Sequence, residues 1–258
     1  MRGGSPEEMS HAYAMIVLMK YTTVIFDFYG TVAIHDGQGL SLDTLLHDRG
    51  HQLNASLARE YWQDGFDGST HDEASRSRDH YTKWQRERLM SLLDRSAVPH
   101  ATAVELADLL ADPATRGSMI PYPDAHEVLT QLRSVGVRTA ICSNWDWDLT
   151  EAIEASTLHD HFDFVVSSAW IGARKPHERI FRHTLEALDA DPAATLFVGD
   201  TWNCDIAGPR NHGLAAAYVR RADREPDHTH PHHTNPNASI DAVHVFSDLR
   251  PIVALCDS

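Results

Sequence analysis

The stretch that decides the fold covers residues 21–31 and reads Tyr21-Thr22-Thr23-Val24-Ile25-Phe26-Asp27-Phe28-Tyr29-Gly30-Thr31. Residues 24–26 form an apolar run that is typical of a short strand buried on both faces. We expect the strand to end at Asp27 and the chain to turn at Gly30, which would place the carboxylate at the sheet edge where open α/β folds bind ligands. Thr31 adds a hydroxyl and backbone N–H groups suited to an anion beside this acid. The pattern is also compatible with an ordinary strand followed by an Asp/Gly turn.

The composition limits the kinds of partner. The 258 residues are 42% hydrophobic, enough for the core of one large domain or two smaller ones. A formal net charge of −15, with no notable cluster of Lys and Arg, argues against nucleic acids and anionic membranes as partners. The 3 cysteines are far apart in the sequence, which favours reduced thiols and a cytoplasmic location. We expect residues 1–18 to be a disordered extension.

The pattern after the first strand becomes helical. Between residues 40 and 110, β-forming residues become rare and leucine recurs at helical spacing, which predicts three or four helices and no strand. Alternation of helices and strands resumes after Pro121 and Pro123. Strands are expected over residues 137–142, 162–166, 196–198, 215–219 and 242–246. The helices between them are expected over residues 124–134, 149–155, 177–188 and 206–211, with a last one over residues 249–255.

This alternation predicts an α/β fold with a doubly wound parallel sheet, because crossover helices join parallel strands. The core domain would comprise residues 19–36 and 118–258, and the all-helical insertion would comprise residues 37–117. Residues 220–239 are rich in Pro, Asp and His and are expected to form an exposed loop.

Four of the predicted strands are followed by polar residues that could act together. In chain order these are Asp27, Tyr29 and Thr31, then Ser143 and Asn144, then Arg174 and Lys175, then Asp200 and Asp205. Because parallel strands end at one edge of a sheet, we expect these side chains to converge. A nucleophilic carboxylate repels an anionic substrate, and Lys175 together with a divalent cation would offset that repulsion.

In this order and at these strand ends, the four elements resemble the motifs of the haloacid dehalogenase-like (HAD) hydrolase superfamily. The matching residues are Asp27-Phe28-Tyr29-Gly30-Thr31, Ser143-Asn144, Lys175-Pro176, and Gly199-Asp200 with Asp205. The helical insertion is similar to the first class of cap domain in that superfamily. The resemblance extends from about residue 20 to the C-terminus and implies a Rossmann-like core with a cap.

The resemblance also implies roles for these residues. Asp27 would attack the substrate and form a covalent aspartyl intermediate. Thr31 and Ser143 would hold the transferring group, Asn144 completes the second motif, and Lys175 would neutralise charge.

A Mg²⁺ cofactor is implied as well. Its ligands would be Asp27, Asp200 and the backbone carbonyl of Tyr29, with Asp205 supporting the site. Ligation by oxygen alone suits such a hard cation.

The sequence departs from the phosphatase pattern at Tyr29. Phosphatase members carry a second Asp there, which protonates the leaving group, whereas Tyr29 is similar to the 2-haloacid dehalogenases, whose halide leaves as an anion. Arg59 falls near the position of an Arg that those dehalogenases use. However, they replace the acid at Asp200 with Ser, use no metal, and have a Tyr where this chain has Phe181.

Trp145 and Trp202, which follow motif residues, are interpreted as walls of the active site. We expect both of them, and Arg59, to contact the substrate. We weight the retained Asp200 more heavily than Tyr29, because buried carboxylates facing Asp27 without a cation would be very costly.

We therefore predict a Mg²⁺-dependent hydrolase of a small phosphorylated metabolite, with a small anionic molecule as its partner. The first alternative is metal-independent hydrolysis of a carbon–halogen bond. The second is a HAD protein that binds a ligand with weakened or no catalysis. The sequence does not indicate the oligomeric state.

Overall fold

The computed structural model describes residues 19–64, 67–224, 227–231 and 243–257. The predicted extension, residues 1–18, lies outside the described residues. The strands are β1 Thr23–Phe26, β2 Ala33–His35, β3 Met119–Pro121, β4 Arg138–Ser143, β5 Phe164–Ser167, β6 Thr195–Gly199, β7 Ala215–Val219 and β8 His244–Phe246. The α-helices are α1 Leu42–His47, α2 Ala55–Arg59, α3 Arg78–Arg95, α4 His100–Ala111, α5 Ala125–Ser134, α6 Leu149–Ala155, α7 Ser168–Ile171, α8 Glu178–Leu188, α9 Gly208–Asn211 and α10 Pro251–Cys256.

Six parallel strands form the core sheet in the order β5-β4-β1-β6-β7-β8. The first strand is central and is buried on both faces. Val24 and Phe26 pack into one apolar layer, which includes residues of α5 and α10. Ile25 points to the opposite layer, which includes residues of α8. Helices therefore cover both faces, and the prediction of a doubly wound parallel sheet is confirmed.

The insertion is helical, as predicted, and has an apolar core of its own. Helices α1, α3 and α4 supply the buried residues Leu42, Leu45, Leu46, Leu92, Leu93, Ala103 and Leu106, with Val98 between α3 and α4, and Leu57 of α2 packs against them. Asn54 caps α2 by accepting hydrogen bonds from the backbone N–H groups of Ser56 and Leu57. Four α-helices thus pack together beside the sheet.

A two-stranded antiparallel ribbon, β2 with β3, joins the entry and the exit of the insertion. The sequence did not predict it, because three residues per strand are too few to show an alternating pattern. His35 pairs with Met119, and Asp36 donates a backbone hydrogen bond of 2.9 Å to Ser118. The predicted limits of the insertion, residues 37 and 117, lie just beyond this ribbon.

The predicted helix over residues 206–211 begins earlier in the structure. A π-helical turn spans Trp202–Ala207 and leads into α9. It begins early because the backbone N–H of Asp205 donates to the carbonyl of Thr201 at 2.8 Å, while the Asp205 side chain accepts from the Thr201 N–H at 2.9 Å. The short helix α7 was also not predicted, whereas α6 and β7 have the predicted bounds.

A segment of the insertion, residues 68–71, is tied to the core by backbone hydrogen bonds. Gly68 donates to the carbonyl of Lys175 at 3.1 Å, and His71 donates to that of Gly172 at 2.8 Å. Between them, Arg174 donates to the carbonyl of Ser69 at 3.1 Å. The insertion therefore contacts the loop that carries Lys175.

His71 is the buried side chain of this tether. Its Nε2 lies 3.1 Å from the carbonyl oxygen of Ser168, and its ring stacks on Trp84 with centroids 4.9 Å apart. Burial lowers the pKa of His71 to about 4, and the nearby Arg174 guanidinium adds to the effect. The imidazole is therefore neutral near pH 7, and Nε2 carries the proton donated to Ser168.

The low pKa of His71 predicts a pH-dependent stability of the tether. Below its ordinary pKa of 6.5 the unfolded chain binds a proton at His71 that the folded chain excludes, so stability is lost as the pH falls from 6.5 towards 4. We expect this group to contribute a loss of about 2–3 kcal/mol in the free energy of unfolding. Chemical denaturation of the wild type and His71→Phe across this range measures it, and the difference between them should shrink towards acid pH. The exposed His100→Gln variant should follow the wild type, and parallel wild-type and His71→Phe curves would contradict the prediction.

A buried ion pair lies where we predicted an exposed loop, so that prediction is wrong at residue 221. Arg221 Nη1 is 2.8 Å from Asp124 Oδ1, and both side chains are almost fully buried. Asp124 Oδ2 also accepts the backbone N–H of Leu249 at 2.6 Å. Loop composition alone did not reveal this pair, which links β7 to α5 and to the chain before α10.

Arg221→Met should destabilise the protein by about 3–5 kcal/mol, because it leaves the carboxylate of Asp124 buried without its cation. Arg250→Met removes an exposed arginine that pairs with Glu127 and Asp248, and should cost less than about 0.5 kcal/mol. Urea unfolding of the two variants measures both values. Equal small losses would contradict the structural role of Arg221.

Candidate active site

The site lies where the ends of three adjacent strands meet. Strand β1 pairs with β4 on one side and with β6 on the other. Asp27 follows β1, Ser143 ends β4, and Asp200 follows β6. The parallel register therefore brings together side chains that are far apart in the sequence.

Asp27 is held through one of its two carboxylate oxygens. Ser143 Oγ donates to Oδ1 at 2.9 Å, and Lys175 Nζ donates to the same atom at 2.8 Å. Among the described residues, no hydrogen bond reaches Oδ2. The carboxylate is thus fixed in orientation by Oδ1 while Oδ2 keeps its lone pairs, as a nucleophile or a metal ligand requires.

Lys175 is shared between two acids. Its Nζ lies 2.7 Å from Asp205 Oδ1 as well as 2.8 Å from Asp27 Oδ1, and the side chain is 1% exposed. Burial alone would lower the pKa of this ammonium, but the carboxylates of Asp205 and Asp27 outweigh burial and raise it well above the usual value. The side chain therefore carries a fixed positive charge.

Asn144 holds the backbone of the lysine loop. Its Oδ1 accepts from the backbone N–H of Lys175 at 2.7 Å, and its Nδ2 donates to the carbonyl of Lys175 at 3.0 Å. This clamp on both backbone groups of one residue fixes where the lysine side chain starts. Asn144 thus acts through Lys175 in the structure.

Three carboxylates meet in the site. One carboxylate oxygen from each of Asp27, Asp200 and Asp205 lies within 4.8 Å of the other two, and all three residues are buried. Burial and the charge of Asp27 raise the pKa of Asp200 to about 6. Burial likewise raises the pKa of Asp205, against the opposing effect of Lys175. The crowding of negative charge and the all-oxygen donor set fit a hard divalent cation.

Two glycines make room for this cluster. A Cβ at Gly30 would lie 2.2 Å from Asp200 Oδ2, and a Cβ at Gly199 would lie 2.4 Å from the side chain of Asp205. Gly30 also has a φ of +83°, which other residues rarely adopt. The turn after β1 therefore requires glycine both for its conformation and for its close approach to Asp200.

Thr31 is fully buried in the turn beside Asp27. Its Oγ1 makes no hydrogen bond within the described residues. Its carbonyl accepts from Arg221 Nη2 at 2.7 Å. The hydroxyl therefore keeps an unused donor, and its predicted contact with a transferring group stays a prediction.

The two predicted wall tryptophans lie in different surroundings. The ring centroid of Trp145 is 6.4 Å from that of Tyr29, so the two half-buried rings are neighbours. Trp202 packs instead on Tyr218 and His230, with centroids 5.6 and 4.7 Å away. The structure thus places Trp145 beside Tyr29 and Trp202 against Tyr218 of β7.

The structure brings Asp67, rather than Arg59, from the insertion to the motif residues. Arg59 is exposed at the end of α2, and its side chain makes no hydrogen bond or ion pair within the described residues. Asp67 accepts from Asn144 Nδ2 at 3.2 Å and from Cys204 Sγ at 3.1 Å. Burial raises the pKa of Asp67, while Arg174, 3.5 Å away, opposes this. The helical pattern carried no signal that would have singled out Asp67.

Arg224 is a further site residue that the sequence analysis missed. Its Nε donates to Asp200 Oδ2 at 3.1 Å, and its Cζ lies 4.4 Å from the ring centroid of Tyr29. Its position shortly after β7, at the same edge of the sheet as Asp27, was the available signal. The prediction of an exposed loop is therefore wrong at Arg224 as well, since its side chain is largely covered and paired with Asp200.

None of the helices in the described residues is long and apolar enough to cross a bilayer.

The family model for haloacid dehalogenase-like hydrolases matches residues 21–213. This range contains all four motifs and the helical insertion.

Two curated relatives and one solved structure illustrate the similarity. Haloacid dehalogenase-like hydrolase domain-containing protein 3 of Mus musculus is 32% identical over 146 residues, 56% of this chain and 57% of that protein. A glyceraldehyde 3-phosphate phosphatase of Methanothermobacter thermautotrophicus is 32% identical over 114 residues, 43% of this chain and 49% of that protein. The chain thus spans about half the length of these relatives.

The L-2-haloacid dehalogenase of Xanthobacter autotrophicus has a similar structure, with a TM-score of 0.56 and 23% identity. The superposition covers 91% of this chain and 98% of that one, which shows a shared fold. With the family model matching most of the chain and its motif residues gathered at one sheet edge, we conclude that this protein belongs to the haloacid dehalogenase-like hydrolases.

Proposed function

We propose that this chain is a Mg²⁺-dependent phosphatase that hydrolyses small phosphorylated metabolites through a covalent intermediate on Asp27. The observation that carries the proposal is the cluster of Asp27, Asp200 and Asp205 within 4.8 Å. Metal-free chemistry has no need for Asp200 beside the nucleophile, and burying that carboxylate is costly. The phosphatase among the relatives supports the same reaction class.

The proposed reaction has two steps. In the first, Asp27 Oδ2 attacks phosphorus, the bond from phosphorus to the leaving oxygen breaks, and the electron pair departs with that oxygen. In the second, water attacks phosphorus, the bond to Asp27 breaks, and inorganic phosphate is released. Ser143 and Lys175 keep Oδ1 fixed throughout, and Lys175 reduces the repulsion between Asp27 and the phosphate.

The metal would be held by Asp27, Asp200 and the carbonyl of Tyr29, with Asp205 in support. When bound, Mg²⁺ would neutralise phosphate oxygens and help to orient the phosphoryl group. Thr31 and the backbone N–H groups of its turn would bind the transferring group. The same predicted role for Ser143 stays a prediction, since its hydroxyl donates to Asp27 Oδ1 in the structure. The substrate would enter beside Trp145 and Asp67, and contacts from Arg59 and Trp202 stay a prediction.

The residue at position 29 limits which leaving groups we expect to react. A phenol is a poor general acid at neutral pH compared with a carboxyl group of suitable pKa. The side chain of Tyr29 is also covered by Arg224 on one face. We therefore propose that substrates with good leaving groups react fastest.

A specific observation favours the alternative of carbon–halogen hydrolysis. Asp200 already has a cation partner in Arg224, so the site can balance part of its charge from its own residues. In that case Asp27 would displace halide from carbon, and water would then hydrolyse the resulting ester. Tyr29 matches the dehalogenase pattern. Asp200 and Phe181 depart from it, because the dehalogenases have Ser and Tyr at these two positions.

We also infer a cytoplasmic location. Cys142, Cys204 and Cys256 are buried free thiols, in keeping with a reducing compartment.

Phosphate release from a broad panel of phosphorylated metabolites tests the proposal. Asp27→Asn should lower the rate at least about 1,000-fold, because it removes the nucleophile. Removal of metal with a chelator should abolish release, and added Mg²⁺ should restore it. Asp43→Asn, which changes an exposed acid in the insertion, should retain the wild-type rate.

Three results would speak against this function. No phosphate release at any pH would contradict it. Chloride release from 2-chloropropionate in the presence of chelator would establish the alternative. Formation of a fluoroberyllate adduct on Asp27 without turnover of any substrate would favour the ligand-binding protein.

Tyr29→Asp should increase phosphate release from substrates with poor leaving groups by at least about tenfold, because it introduces a proton donor. Tyr29→Phe removes only the hydroxyl and should leave the rate within about threefold of the wild type. Rates for a series of aryl phosphates of rising leaving-group pKa measure both effects. A large loss in Tyr29→Phe would show instead that the hydroxyl takes part in catalysis.

A further inference from the structure

The carboxylate cluster already contains a second cation besides Lys175. In the described part of the chain, Lys175 and Arg224 are the basic residues in ion-pair contact with the three acids. Lys175 contacts Asp27 and Asp205, and Arg224 contacts Asp200 at 3.1 Å. Each carboxylate therefore has a cation partner before any metal is considered.

The two cations differ in how deeply they are buried. The side chain of Lys175 is 1% exposed, whereas that of Arg224 is 24% exposed and starts from the loop after β7. Asp200 itself is 6% exposed. Arg224 can therefore withdraw towards solvent at a modest cost, while Asp200 and Lys175 cannot.

Arg224 contacts Asp200 Oδ2 directly beside Gly30. A Cβ at Gly30 would lie 2.2 Å from Asp200 Oδ2 and 2.7 Å from Arg224 Nε. The Asp200–Arg224 contact is therefore packed directly against the turn after the nucleophile. A cation that used Asp200 Oδ2 as a ligand would meet the guanidinium there.

The charges of the cluster also favour competition between Arg224 and a bound cation. When ionised, the three carboxylates carry three negative charges, and Lys175 and Arg224 compensate two of them. A divalent cation thus enters a cluster with one net negative charge, and removing Arg224 would leave two. Like charges close together in a buried site repel one another strongly.

We propose that Arg224 is the resident counter-ion of Asp200 and competes with Mg²⁺ for that carboxylate, so that it sets the metal affinity of the site. On metal binding the guanidinium gives up Asp200 and keeps its contact with the ring of Tyr29, 4.4 Å away. This inference rests on the proposed function, because it assumes that Mg²⁺ binds the cluster. Arg224 is a positioning residue that acts through Asp200.

An opposite role makes the opposite prediction. If Arg224 instead oriented Asp200 for the metal from behind, its removal would weaken metal binding, as loss of a partner of a metal ligand usually does. The sign of the change in Mg²⁺ affinity therefore separates the two roles.

The test is calorimetric titration of MgCl₂ into the chelator-stripped full chain without substrate or phosphate. Arg224→Met should bind Mg²⁺ about tenfold more tightly than the wild type, the scale on which neighbours of a ligand change metal affinity. Arg224→Lys keeps the charge and should stay within about threefold of the wild type. Arg220→Met, which alters an arginine that lies over the ring of Tyr218, is the matched control and should leave the affinity unchanged.

Thermal unfolding provides a second measurement without catalysis. In chelator, Arg224→Met should unfold at a lower temperature than the wild type, because buried Asp200 loses its cation. Saturating Mg²⁺ should then raise the unfolding temperature more in Arg224→Met than in the wild type, because the ligand binds the folded variant more tightly.

The outcomes separate this inference from the proposed function. Unchanged or weaker Mg²⁺ binding by Arg224→Met, with normal binding by the wild type, would overturn the role of Arg224 alone. Absence of Mg²⁺ binding in both proteins would overturn the metal dependence in the proposed function, and this inference with it.

Discussion

Repulsion among the carboxylates of Asp27, Asp200 and Asp205 is the constraint on which the rest of the site depends. Buried charges of one sign within 4.8 Å are tolerated only where cations and hydrogen bonds offset them. Lys175 meets this need for two of the acids. Its own position is fixed by the two hydrogen bonds between its backbone and the Asn144 side chain, one donated by each residue. Much of the second and third motifs therefore serves to hold one ammonium in place.

The sheet topology explains how such a costly cluster can form. Strand β1 lies between β4 and β6, and its apolar residues Val24 and Phe26 pack into a large buried layer. Burial of this layer stabilises the fold. The strand ends are therefore fixed in position even though acidic residues of like charge follow them. The lysine loop also pairs with residues 68–71 of the insertion. The position of the insertion and that of the main counter-charge are thus physically linked.

Much of the candidate site was predictable because it follows from strand ends. A buried apolar strand is recognisable in sequence, and the polar residue after it must lie at the ligand-binding edge. This reasoning predicted that Asp27, Ser143 and Asp200 would converge, and the structure brings them together. It also covers Asn144, which directly follows β4, and partly Lys175, which follows β5 only after the short helix α7.

The rest could not be predicted from the same reasoning. Asp67 lies in a segment between helices, where helical periodicity does not tell which residue contacts the core. Arg221 and Arg224 follow a strand, but the many Pro, Asp and His residues after them suggested solvent exposure. Composition averages over a segment, whereas an ion pair such as Arg221 with Asp124 depends on one partner far away in the sequence.

The contacts of Tyr29 and Arg224 show how Tyr29 and Asp200 fit together in one site. An Asp at position 29 would add a fourth carboxylate to the cluster and increase the repulsion that Lys175 and Arg224 must offset. A tyrosine adds no charge, and its ring gives the guanidinium of Arg224 a surface to pack on. Arg224 can then reach Asp200 past Gly30, so Asp200 has a cation partner among the protein's own residues when no metal is bound. Tyr29 and Asp200 are therefore compatible within one charge balance.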